Sequence, residues 1–193
     1  MIRIAYIRKQ VLSIYRQMDK IVYPIRPAEC LPPRCRMMSY QNLAASAGCS
    51  ITDVATLCNS YSGATHYNKS DGKFLILYND FESKGRTLWT QCHEIGHIVL
   101  GHFNCQFDQS IADGELNKQF EEEANYFSWN LLAPLPIMRE MEVSSAIQIQ
   151  ETYGLSVQAS EIHFERYQNW IHGHIKNAFE NDIIREFRKK YSY

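Results

Sequence analysis

Apolar residues recur at helical spacing between residues 4 and 22, through Ile7, Val11, Ile14, Met18 and Ile21 with charges between them, which predicts an amphipathic helix. Pro24, Pro27, Pro32 and Pro33 follow. Each ring fixes φ and removes an N–H donor, so residues 24–36 are expected to run over the surface as a connector. Residues 40–59 (YQNLAASAGCSITDVATLCN) read as two short helices broken at Gly48-Cys49, with Ser50 and Asp53 spaced as an N-terminal capping pair. Residues 64–67 and 73–79 then flank NKSDG, whose Asp71-Gly72 favours a tight turn, and predict two strands of a small antiparallel sheet.

Residues 80–88 (DFESKGRTL) read as a polar link, and Thr90 as the N-cap of a helix over 91–103. A loop carrying Asp108, Asp113 and Gly114 leads to a second long helix at 115–133, which Pro134 and Pro136 stop. Shorter helical stretches are expected at 136–142 and 145–153, and Ser156 is placed to cap a helix over 157–172. The last segment (IKNAFENDIIREFRKKY) is amphipathic with a basic tip, the pattern of a helix packed by its apolar face. The expected class is α+β: mostly helical, with a small antiparallel β-sheet preceding the 91–103 helix. One domain over 1–193 is expected, with an N-terminal helical segment (1–61), a core (62–167) and a C-terminal helix (168–193).

Composition narrows the function classes. A chain of 193 residues, 45% hydrophobic and 21% charged, can bury a sizeable core, and a net charge of −1 offers no global field toward nucleic acid or anionic membrane. The longest apolar runs, such as FLIL at 74–77, fall far short of a membrane span, and the charged start MIRIAYIRKQ is unlike a signal peptide. A cytoplasmic protein is expected, with its six cysteines (30, 35, 49, 58, 92 and 105) reduced. Ala44, Gly48 and Val54 fall where a helix-turn-helix would place its small, turn and core residues. Yet residues 39–63 hold no lysine or arginine, so a packed helical pair is expected there and direct DNA binding is not.

The chemistry concentrates in TQCHEIGHIVLGH, residues 90–102. On a helix His93 and His97 stack one turn apart on one face and can reach a single tetrahedral ion. Glu94, rotated by about 100°, can act on a water at that ion without ligating it. Cys92 should face away. A catalytic site of this type needs a third protein ligand. The metzincin pattern requires Gly at position 100 and His at 103, where the chain has Leu100 and Phe103. His102, about 140° round the helix from His97, fits better as a helix-end histidine bonding local carbonyls. Asp108 or Asp113 is possible but has no supporting pattern. A carboxylate from the next helix has one: Glu121 and Asn125 are i and i+4 and share a face, so Glu121 can ligate while Asn125 accepts from the outer ring nitrogen of His93. Glu122 and Glu123 are then expected to be solvated.

These residues resemble the ImmA/IrrE metallopeptidases. The resemblance rests on RTLWTQCHEIGHIVLGH (86–102) after a strand, EEEANYFSWNLLAPLP (121–136) on the next helix, and YGLSVQASEIHFERY (153–167). It covers residues 62–167 and implies a zincin-like core with one zinc ion held by His93, His97 and Glu121, and Glu94 as general base. It further implies a cytosolic protease that cuts helix-turn-helix repressors controlling mobile elements or stress genes. The chain departs from the family at Ser128-Trp129-Asn130, where smaller residues are usual, and at Ala133, where Met is usual. The expected function is therefore zinc-dependent hydrolysis of a peptide bond in a protein substrate, which could lie along strand 73–79 if that strand has a free edge. The rival is a non-catalytic regulator that binds a repressor or other protein through a zinc-stabilised fold. His163 and Tyr126 could help an oxyanion, but a surface or core role fits either better.

Overall fold

The computed structural model describes residues 1–103, 113–173 and 177–191, with side chains of the helix that begins at 113 described from Lys118 onward. Along these residues run α1 (Ile4–Gln17), β1 (Cys35–Ser39), α2 (Tyr40–Ala47), α3 (Ile51–Leu57), β2 (Gly63–Asn68) and β3 (Lys73–Tyr78). There follow α4 (Lys84–Val99), α5 (Asp113–Leu132), α6 (Leu135–Glu140), α7 (Ala146–Tyr153), α8 (Val157–His172) and α9 (Ala178–Lys190). The class is α+β, mostly helical with one small sheet before the motif helix.

The sheet is mixed, which corrects the expectation of an antiparallel one. Its order is β1-β3-β2: β2 pairs antiparallel with β3 (Gly63↔Tyr78 to Asn68↔Lys73), and β1 pairs parallel with it (Cys35↔Phe74 to Ser39↔Tyr78). β1 begins directly after the prolines, in residues assigned in part to the connector. A parallel pair needs a long crossover, and here α2, α3 and β2 supply it. The period of two separates the two faces of β3. Ile76 joins a large core with α1, α4, α5 and α9, whereas Leu75 and Leu77 face a small one with Tyr40, Ala44 and Val54. So α2 and α3 spend their apolar residues on the sheet as a packed pair, and the Ser50–Asp53 capping box opens α3 as expected.

Two helices start or stop away from their expected ends. α1 ends at Gln17, not 22, because the chain turns extended at Met18 and Ile21 bridges to Tyr191 beside α9. α4 begins at Lys84 with Ser83 as its cap; Thr90 is buried in its middle. The polarity of 80–88 made this segment read as a link, but its Gly85 serves packing: a Cβ there would fall 2.5 Å from the Ser156 nitrogen, so the first turn of α4 lies against the cap of α8.

α4 and α5 pack closely for the same kind of reason. A Cβ on Gly96 would lie 2.9 Å from the Phe127 ring and 3.4 Å from the Ala124 Cα. Phe127 is fully buried and has nowhere to move. Gly96→Val is therefore expected to cost about 2 kcal/mol by overpacking, read by urea unfolding of the metal-free protein. A change under about 0.5 kcal/mol would mean the helices can separate at no cost.

Candidate metal centre

α4 carries His93, Glu94 and His97 at a helical spacing that aims both imidazoles toward α5, and the tight crossing at Gly96 brings Glu121 of α5 to meet them. His93 Nε2 and His97 Nε2 are 3.0 Å apart, and the Glu121 carboxylate oxygens lie 3.1 Å from the first and 3.3 Å from the second. Among the described residues this is a group of three whose potential ligand atoms all lie within 4.8 Å of one another.

The donor set fits a metal ion. Ligand atoms about 2.0–2.1 Å from a tetrahedral ion are about 3.3–3.4 Å from one another, close to the three separations here. Two imidazole nitrogens and a carboxylate are a borderline-soft set suited to zinc and its neighbours. The Glu121 carboxylate faces both imidazoles and, as a carboxylate at neutral pH, is anionic and able to ligate. Glu121 is exposed on the solvent side while both histidines are partly buried, which leaves an approach to the site open.

That approach is a cleft of about 410 Å³ bounded by residues 60–63 before and at the start of β2, by Arg86, Trp89 and Thr90 of α4, and by Asn125 of α5. Glu94 lines it, and the Thr65 hydroxyl of β2 donates to Glu94 Oε2 at 2.7 Å. One carboxylate oxygen is thereby fixed.

The backs of the two histidines are also held. His93 Nδ1 lies 3.1 Å from Asn125 Oδ1, the pairing expected from their spacing. His97 Nδ1 lies 2.9 Å from His102 Nδ1, and His102 Nε2 lies 3.2 Å from Glu123 Oε2. Two expectations are corrected here. His102 bonds side chains rather than local carbonyls, because α4 ends at Val99 and Gly101 turns the chain back at φ 76°. Glu123 is fully buried rather than solvated, because two residues past Glu121 is about 200° round the helix. There it meets Arg3, whose backbone N–H donates at 2.9 Å and whose Nε donates at 3.0 and 3.1 Å. Burial pushes the Glu123 carboxyl up, but the bonds from Arg3, Gln119 and His102 outweigh it and hold the group at about 2. Burial lowers His102 to about 4, so its imidazole is neutral. The Gly after the motif helix was the one sequence signal for His102; nothing local marked Arg3.

Of the other candidates, Cys92 is fully buried in the core on the far face of α4. Asp108 and Cys105 lie outside the described residues, as does the side chain of Asp113. Tyr126 and His163 do not line the cleft. The Tyr126 hydroxyl accepts from Arg8 at 3.1 Å, and His163 Nε2–H donates to the Ala133 carbonyl at 2.7 Å. Trp129 fills the space between, stacked on His163 at 4.4 Å and packed on Trp89 at 4.3 Å. That is where the bulky Ser128-Trp129-Asn130 segment spends its volume.

Burial holds His163 neutral with its pKa lowered to about 4. The unfolded chain, with a histidine near 6.5, takes up a proton first as pH falls, so this contribution is complete above pH 6.5 and is lost between pH 6.5 and 4. The loss is about 3 kcal/mol for this one group. Urea unfolding at several pH values should show a shallower acid slope in His163→Gln than in wild type; parallel slopes would place the titration elsewhere.

The family model described as Peptidase_M78, IrrE N-terminal-like domain, matches residues 50–164. The chain belongs to this family. The match begins at the cap of α3 and takes in the β2–β3 hairpin, both ligand-bearing helices and half of α8. Arg3, at the start of α1, falls outside the IrrE-like segment, although it reaches the His93–His97–Glu121 cluster through Glu123 and His102. No curated protein matches the chain. Among the described residues no helix is long and apolar enough to cross a membrane.

Proposed function

We propose that this IrrE-like protein is a zinc-dependent metalloendopeptidase, with one zinc ion per chain, that hydrolyses a peptide bond in a helix-turn-helix repressor of a mobile element or stress regulon. The observation that carries the reading is the convergence of His93, His97 and Glu121 with Glu94 facing the same cleft. His93, His97 and Glu121 would hold the ion. When bound, zinc supplies Lewis-acid chemistry, polarising the scissile carbonyl and lowering the pKa of a water toward 7.

Glu94 is the general base. Thr65 occupies one of its oxygens, which orients the other toward the cleft to take the proton of the attacking water and pass it to the leaving amine. A structural metal site has no use for a carboxylate held in this way, which favours catalysis over the regulator that only binds.

The condition for a substrate strand along β3, a free edge, is not met, because β1 and β2 occupy both of its edges. Of the two edge strands, β1 and β2, it is β2 that carries Thr65, so an extended substrate paired with its far edge would run beside Glu94. The substrate class rests on the family resemblance. Mass spectrometry of protein N-termini in cells expressing wild type or Glu94→Gln tests it. A wild-type-specific internal N-terminus in a helix-turn-helix repressor supports the assignment; cuts confined to other protein classes overturn it.

A further inference from the structure

His97 presents Nε2 to the ligand cluster, and an imidazole that ligates through one nitrogen carries its proton on the other. His97 Nδ1–H therefore donates to His102 Nδ1 at 2.9 Å, which must be bare. His102 then carries its own proton on Nε2, which points at Glu123 Oε2 3.2 Å away. Reversing His102 would set a bare nitrogen against the Glu123 oxygen and two N–H groups against each other, and reversing His97 would set two bare nitrogens against each other. The whole order of protons follows from one fixed element, the Glu123 carboxylate.

That carboxylate is 0% exposed, and an isolated charge would not stay ionised there. Arg3 keeps it ionised: its guanidinium and its backbone N–H both bond Glu123, and the same guanidinium donates to the Leu100 carbonyl at 3.3 Å, just past the end of α4. Gln119 Nε2 supplies a further bond at 3.2 Å. Phe120 stacks on His102 at 4.2 Å and fixes the plane of its ring. The two metal-facing histidines are thus backed differently. His93 leans on a neutral amide, and His97 leans through a second imidazole on a buried anion.

We infer that Arg3, Glu123 and His102 are positioning residues that set the orientation and raise the basicity of His97 as a metal ligand, so that the start of α1 governs metal affinity from outside the family segment. The inference rests on the zinc reading above. Outer partners of metal-bound histidines are worth about 10–100-fold in affinity.

The experiment is zinc affinity by chelator competition, with the visible spectrum of the cobalt(II)-substituted protein, for wild type, Arg3→Met, Glu123→Gln and the double variant. The double variant separates the roles, since it removes both charges of the Arg3–Glu123 pair together. Each single variant is expected to bind zinc about tenfold or more weakly, with a changed cobalt spectrum, and the double variant should stay as weak as Glu123→Gln. Wild-type affinity in the double variant would show that Arg3 serves folding alone and would overturn the inference, as would wild-type affinity in both single variants. Failure of wild type to bind metal overturns the zinc reading itself and the inference with it.

Discussion

Glu94→Gln is expected to lower kcat by about a thousandfold with zinc content and fold unchanged. The amide has the shape of the carboxylate, and its oxygen can still accept from Thr65, which donates at 2.7 Å in the wild type. It has no basic oxygen to take a proton, and general acid–base catalysis by a positioned side chain is worth about 10²–10⁴-fold. KM should move little, because Glu94 lies beside the ligand cluster without belonging to it. Steady-state cleavage of a purified substrate, with metal content measured on the same samples, checks this. Activity within tenfold of wild type, at equal zinc, would remove Glu94 from the role of base; no cleavage by the zinc-loaded wild type would return the protein to the class of zinc-stabilised binding proteins.

Glu121→Ala should cost zinc affinity rather than stability. Zinc held by four protein ligands is worth about 10–16 kcal/mol, so one ligand accounts for about 3 kcal/mol, or somewhat over a hundredfold in Kd. Glu121 is exposed, and its removal opens no cavity. The metal-free variant should therefore unfold close to metal-free wild type, short only of the solvent-screened contacts of Glu121 with His93 and His97, while the stabilisation that added zinc gives wild type largely disappears at matched concentrations. Competition with a chelator of known affinity measures the first effect and thermal unfolding the second. An unchanged Kd would mean the third ligand lies elsewhere.

Much of this centre was legible because its parts are local. His93, Glu94 and His97 fall within one and a half helical turns, and the Glu121–Asn125 pairing follows from i, i+4 spacing, which is enough to predict the Asn125 contact with His93. The caps at Ser50 and Ser156 were legible for the same reason. What escaped depends on residues far apart in the chain. Arg3 meets Glu123 across 120 positions, and no periodicity signals such a pair. Glu123 sits in a run of three glutamates of which only the burial pattern, not the spelling, distinguishes the third. β1 follows a run of prolines and owes its existence to the edge of β3 it pairs with. The polar stretch 80–88 reads as a link in isolation, and the close contact of Gly85 that makes it a helix end exists only once α8 is in place.

Diffraction data from crystals of the zinc-loaded protein, collected on both sides of the zinc absorption edge, test the central claim most directly. The account predicts one anomalous peak about 2.0–2.1 Å from His93 Nε2, His97 Nε2 and a Glu121 oxygen, with Glu94 outside the coordination sphere. A zinc ion ligated without Glu121, or ligated by Glu94, would contradict it.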